Sequence, residues 1–167
     1  MSILLRRTAL IRGAQGSTLS RTASQRRVTS KPIEAAPLTA AVMGSHVAWF
    51  KGILGSDHAA TSAEDPGLLR AHSTDWARRW APEPGQEAAL LLSPGTEDEV
   101  EAIVRYAFEH RIPLVPQGGN TGLVGGSTPT GPGEVILSMR RLNRVVSLDE
   151  EEGVLECEAG CVLEALK

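Results

Sequence analysis

Residues 88–115 read AALLLSPGTEDEVEAIVRYAFEHRIPLV, and this stretch decides the fold class. It opens on Ala88, Ala89, Leu90, Leu91 and Leu92, a continuous apolar run of strand length. Ser93, Pro94 and Gly95 turn the chain. Thr96, followed three residues later by Glu99, makes a capping box. Val100, Ile103, Val104, Ala107 and Phe108 then recur at three- and four-residue spacing, which predicts a helix with one apolar stripe running to about His110. Ile112, Pro113, Leu114 and Val115 predict a second strand. Residues 88–115 are thus expected to form a β-α-β unit that closes locally.

Working outward, Val135, Ile136, Leu137 and Ser138 predict a third strand. Residues 144–149 and 154–158 flank the turn Glu150, Glu151, Glu152 and Gly153, which predicts a hairpin. A last helix is expected to begin at Val162. Upstream, residues 46–55 predict a short helix closed by Gly55 at its C-cap. Residues 56–86, with Pro66, Pro82 and Pro84, read as irregular, and the rings of Trp76 and Trp80 are expected to pack.

Composition sets the outer limits. The chain has 167 residues, 41% of them hydrophobic and 22% charged, so it is too apolar to be disordered throughout. No uncharged apolar run approaches the roughly 18–20 residues that span a bilayer, so no membrane span is expected. Two cysteines, Cys157 and Cys161, are too few for a disulfide scaffold, and they are expected to pack. His46, His58, His72 and His110 show no metal-ligand spacing, and no metal site is expected. No Ser/His/Asp constellation is legible, and no catalytic residue is assigned.

Charge divides the chain unevenly. Residues 1–33 hold Arg6, Arg7, Arg12, Arg21, Arg26, Arg27 and Lys31 and no acid. The remainder carries ten basic residues against all 20 acids. An Arg-rich, Ser-rich, acid-free leader has the composition of a mitochondrial or chloroplast transit peptide, with a nucleic-acid-binding arm or an unstructured tail as alternatives. Cleavage is expected between about Arg21 and Ser45, and the acidic remainder argues against a nucleic-acid partner.

The chemistry is concentrated in residues 116–127, PQGGNTGLVGGS, directly after a strand, where sheets of this kind present ligand loops. Glycines let backbone N–H groups converge as a nest around a phosphate oxygen, and Asn120, Thr121 and Ser127 add donors. No Lys or Arg occurs from Ile112 to Met139, so an anion here is expected to be held by amides and hydroxyls. That suits the diphosphate of a large cofactor. The loop is neither a Walker A motif nor G-x-G-x-x-G.

These residues, together with Val135 to Ser138, the segment Arg141-Leu-Asn-Arg-Val145 and the segment Leu155-Glu-Cys-Glu-Ala-Gly-Cys-Val-Leu-Glu164, resemble the FAD-binding domain of the vanillyl-alcohol oxidase / p-cresol methylhydroxylase (PCMH) superfamily. Within it they are most similar to FAD-linked dehydrogenases of D-2-hydroxy acids. The resemblance implies an α+β fold, the first lobe of a PCMH-type domain, truncated and preceded by a disordered leader. It divides the chain into a transit peptide and linker over 1–45, an irregular or helical segment over 46–86, and a partial FAD-binding domain over 87–167. It implies that Pro116, Gln117, Gly118, Gly119, Asn120, Thr121, Gly122, Leu123, Gly126 and Ser127 surround FAD. Family members that attach flavin through this loop carry a His where this chain has Asn120, so FAD is expected to be non-covalent. The implied reaction oxidises a small-molecule D-2-hydroxy acid, D-2-hydroxyglutarate to 2-oxoglutarate, in the mitochondrial matrix, with electron-transfer flavoprotein as acceptor. D-lactate or glycolate oxidation, or a non-catalytic fragment, are the alternatives.

Overall fold

A computed structural model describes Val42 and residues 44–166. The leader expectations for residues 1–41 lie outside the described residues. The ordered elements run α1 (Gly44–Leu54), β1 (Ala59–Thr61), α2 (Pro66–His72), β2 (Leu90–Leu92), α3 (Glu97–Glu109), β3 (Leu114–Gln117), β4 (Val135–Ser138), β5 (Val145–Asp149) and β6 (Val154–Cys157). Short 3-10 turns cover Ser56–His58 and Leu163–Leu166. The fold is mixed α and β, as expected.

Strands β1 to β4 form one sheet in the order β1-β2-β4-β3. Strand β1 is antiparallel to β2, whereas β2, β4 and β3 run parallel, with Leu90 and Leu114 both in register with Val135. The three leucines of β2 divide by alternation. Leu90 and Leu92 join Phe50, Ile103, Val135 and Leu137 in the larger core, while Leu91 joins Leu69, Ala88 and Ile136 on the opposite face. Helices thus cover both faces, which is why β2 and β4 read as unbroken apolar runs. Each fully buried Leu, Ile or Phe contributes about 1.5–3 kcal/mol.

The β-α-β unit does not close as expected. Strand β4 lies between β2 and β3, so the two strands flanking α3 never touch each other. Their connection through α3 becomes a folded unit only after residues 135–138 insert. Strand β3 also begins two residues later than expected and extends through Pro116 and Gln117. Pro116 is tolerated because β3 is the sheet's edge, where its missing N–H faces no partner strand.

Helix α3 starts as the sequence predicts, with Thr96 Oγ1 accepting from Glu99 N at 3.2 Å. Glu99 Oε2 reaches one residue further back than a capping box requires and accepts from Gly95 N at 2.6 Å. The apolar stripe is narrower than expected. Val100, Ile103 and Ala107 are buried, but Val104 and Phe108 are exposed. Helix α1 packs on α3 through Trp49, which stacks on Tyr106 at 3.8 Å between ring centroids. It ends at Gly55, which takes φ +82° and donates its N–H to Lys51 O at 2.9 Å.

Residues 56–86 are more ordered than the prolines suggest. They supply β1 and α2, the latter started by Asp65 as N-cap (Leu68 N to Oδ1, 2.8 Å) with Pro66 in its first turn. The hairpin β5–β6 forms as expected and pairs only with itself among the described residues. It is anchored by Glu158, whose carboxylate accepts from Arg144 Nε (2.9 Å), Nη2 (2.6 Å) and backbone N (2.7 Å). The expected last helix is a 3-10 turn.

The Arg144 guanidinium and backbone amide hold the Glu158 carboxyl below its ordinary value of 4.5. A group with a lowered folded-state pKa stabilises the fold above its unfolded value and loses that contribution as pH falls below it. Glu158→Gln is therefore expected to melt below the wild type at neutral pH, with the gap closing as pH drops from about 4.5 toward 3. Melting temperature followed against pH for both proteins checks this. A gap that stays constant into acid contradicts it.

Candidate functional site

The glycine-rich segment leaves β3 after Gln117 and folds over a strap formed by residues 72–80. Gln117 is buried, only 2% exposed. Its Nε2 donates to His72 O at 2.7 Å and to Ser127 O at 2.8 Å, closing the base of the loop. Asn120 takes φ +54°, a left-handed conformation that asparagine tolerates better than most residues. Its Nδ2 donates to Thr74 O at 2.6 Å, its Oδ1 accepts from Ser127 Oγ at 2.7 Å, and its carbonyl accepts from Trp76 N at 3.3 Å.

Trp80 holds the far arm of the loop. Its Nε1 donates to Leu123 O at 3.3 Å, and its ring lies so close over Gly125 that a Cβ there would sit 2.9 Å from Cδ2. Gly125 also has φ +77°, so it is glycine for two reasons. The packing expected of the two Trp rings is only half met. Trp80 seats on the loop while remaining 52% exposed, and Trp76 is 77% exposed.

Beside the loop opens a cleft of about 870 Å³, within the range of small-molecule sites. Its lining brings residues 117–121 together with His72, Arg140, Asn143 and residues 159–164. Of the ten residues expected to surround a cofactor, Gln117, Gly118, Gly119, Asn120 and Thr121 are brought together here. Pro116 belongs to β3, and Gly122, Leu123, Gly126 and Ser127 do not line this cleft. His72 and Arg140 are supplied by the fold, with no local signal for them in the sequence, whereas Asn143 and residues 159–164 lie in segments that carry the family resemblance without being expected around the cofactor. Arg140 adds a cation to a site expected to hold anions without one.

The wall at 159–164 is positioned by Gly160, whose N–H donates to Leu142 O at 2.7 Å. Cys161 Sγ lies 3.5 Å from Arg144 O and lines the cleft. Burial and the neighbouring Cys157 push its thiol up, which is the behaviour of a packing cysteine. Among the described residues no group of three or more His, Cys, Asp or Glu side chains is arranged to hold a metal ion.

The cleft suits a phosphate-bearing cofactor on two observations. Gly118 and Gly119 have no positive φ, and a Cβ on Gly118 would meet nothing within 4 Å. Neither backbone conformation nor internal packing demands glycine at 118, so its bare surface is available to a ligand. The backbone N–H groups of 118, 119 and 121, residues that line the cleft, also donate to no carbonyl among the described residues, leaving amides for an anion.

Residues 88–167 match the family model of the FAD binding domain. The chain is 41% identical over 134 residues to the mitochondrial D-2-hydroxyglutarate dehydrogenase of Arabidopsis thaliana, covering 80% of this chain and 22% of that protein. It is 47% identical over 102 residues to the Bos taurus enzyme of the same name, covering 61% of this chain and 18% of the relative. The chain thus spans about a fifth of the length of the curated relatives it matches. Its fold is similar to that of p-cresol methylhydroxylase with substrate bound, with a TM-score of 0.58 at 22% identity over 72% of this chain and 22% of that one. No described helix is long and apolar enough to cross a membrane.

Proposed function

We propose that this chain, whose residues 88–167 match the family model of the FAD binding domain, supplies the diphosphate-holding part of a mitochondrial FAD-linked dehydrogenase of a D-2-hydroxy acid. The substrate is D-2-hydroxyglutarate, oxidised to 2-oxoglutarate, which follows the names carried by the relatives. Electron-transfer flavoprotein in the matrix is the proposed acceptor. The observation that carries the reading is the set of unspent amides at 118, 119 and 121, residues that line the same cleft as Arg140.

The residues divide the work. The amides of 118, 119 and 121 and the Arg140 guanidinium donate to the diphosphate, while Gln117, Asn120 and Ser127 hold the loop open. Bound flavin supplies the hydride acceptor. Reading the acid falls to no residue of the described cleft, so D-lactate and glycolate stand as the alternative substrates.

A fluorescence titration with FAD tests the site. Because one wall is the exposed 3-10 turn at Leu163–Leu166, binding by this chain is expected to be weaker than micromolar and without turnover of D-2-hydroxyglutarate with a dye acceptor. Sub-micromolar affinity or measurable turnover would place more of the site in this chain than proposed here. No effect of FAD at millimolar concentration would refute the cofactor assignment.

The bound FAD is proposed to be non-covalent. Asn120 offers a neutral amide, which is not a nucleophile, and both ends of it are already committed to Thr74 O and Ser127 Oγ. Acid precipitation of the flavin-loaded protein is expected to leave all yellow colour in the supernatant. A yellow pellet contradicts the assignment.

A further inference from the structure

We propose that His72 is a cofactor contact in this cleft, a neutral imidazole whose Nε2 accepts a hydrogen bond from a ribityl or ribose hydroxyl beside the diphosphate. The inference rests on the reading of the cleft as the FAD site. It begins with the buried amide of Gln117. Both partners of Gln117 Nε2, His72 O and Ser127 O, are carbonyl oxygens that can only accept. The network therefore sets which end of the amide is nitrogen. Oxygen Oε1 is left facing His72 Nδ1 at 2.6 Å. A carboxamide oxygen carries no proton, so Nδ1 must be the donor.

The tautomer follows. With its proton on Nδ1, neutral His72 carries a lone pair on Nε2. The half-buried ring lines the cleft beside Gly118 and Gly119, and Nε2 has no partner among the described residues. The remaining histidines are placed elsewhere: His46 and His110 both bond Tyr106, and His58 ends the turn after α1.

Cofactor chemistry supplies the partner. Loop amides and Arg140 are donors, which match phosphate oxygens but leave hydroxyl protons unanswered. A hydroxyl next to the diphosphate needs an acceptor, and a neutral Nε2 is one. In the neutral ring a bare Nε2 facing a phosphate oxygen would put two lone pairs together, so that form selects the hydroxyl.

Long-range proton–nitrogen correlation spectra of the imidazoles test this at about pH 8, above the ordinary histidine range. The free chain is expected to show His72 protonated at Nδ1 and bare at Nε2. Excess inorganic pyrophosphate should shift the amides of 118, 119 and 121 and leave Nε2 bare. Millimolar FAD should shift both, again without protonating Nε2. His72→Asn keeps an N–H for Gln117 Oε1 and removes Nε2. It should melt with the wild type and bind FAD about fivefold more weakly, the worth of one neutral hydrogen bond.

The opposite tautomer in the free chain, or Nε2 becoming protonated with pyrophosphate, overturns the assignment to a hydroxyl. FAD that shifts the loop amides but leaves Nε2 unmoved overturns the contact while the cofactor site stands. FAD that shifts neither overturns the site and the contact together. The wild-type spectra decide these outcomes even if the Asn variant fails to fold.

Discussion

Gly160→Ala is expected to unfold the wall of the cleft and lower the melting temperature by about 10 °C, the consequence of at least ~3 kcal/mol in a chain of this size. The cause is backbone against backbone. A Cβ on Gly160 would lie 1.9 Å from Met139 O, 2.7 Å from Met139 C and 2.8 Å from Leu142 O. No side chain can rotate away to make room. Relief requires the turn between Met139 and Leu142, closed by Leu142 N to Met139 O at 2.9 Å, to move as a body. That turn leads from buried β4 to Arg144, so the disturbance reaches both the sheet and the Glu158 anchor of the hairpin. Thermal unfolding followed by circular dichroism measures the effect, and an unchanged midpoint would show that the approach is not as tight as described.

Gly118→Ala should behave in the opposite way, with stability kept and cofactor affinity lost. A Cβ at 118 meets nothing within 4 Å, and the residue has no positive φ for a side chain to strain. By the unfolded-state argument, the substitution is neutral or stabilises by up to about 1 kcal/mol. The same methyl group, however, occupies the surface on which the proposed diphosphate lies against the loop amides. Affinity for FAD is expected to fall at least tenfold, or about 1.4 kcal/mol. Melting and titration on one preparation separate the two effects. Equal affinity with unchanged melting would remove Gly118 from the cofactor surface. The pair of glycines thus tests two different reasons for the absence of a side chain, one internal to the fold and one reserved for a ligand.

Local signals in the sequence were read correctly where the interaction that forms an element lies within it. Helix α3 is announced by Thr96 and its apolar spacing because the cap and the i to i+4 bonds are all short-range. The hairpin β5–β6 is announced by its turn. Helix α2 carried its own signal in Asp65 and Pro66, which a reading of 56–86 as irregular passed over by treating proline as a breaker instead of a first-turn residue. The overlong stripe on α3 has a different origin. Periodicity tells which residues share a helix face, but how much of that face is covered depends on neighbours, and among the described residues Val104 and Phe108 stay exposed.

In the site, the sequence by itself determined the glycine-rich loop and its place after a strand, because glycine content and the apolar run before it are properties of the segment alone. Only the tertiary structure decided what each loop residue does. Asn120 reads as a ligand donor in the sequence and Gln117 as one of the residues around the cofactor, yet their amides are consumed by partners 46 and 45 residues away, at Thr74 and His72. The same holds for strand order. The apolar runs of β2, β3 and β4 say that these strands have buried residues, but alternation encodes faces and not neighbours, so the insertion of β4 between β2 and β3 could not be read from them. Arg140 and Gly160 reach the cleft through that insertion and the turns that follow it, and His72 reaches it from the end of α2. Their roles arise from contacts between segments far apart in the chain, which only the packed sheet brings together.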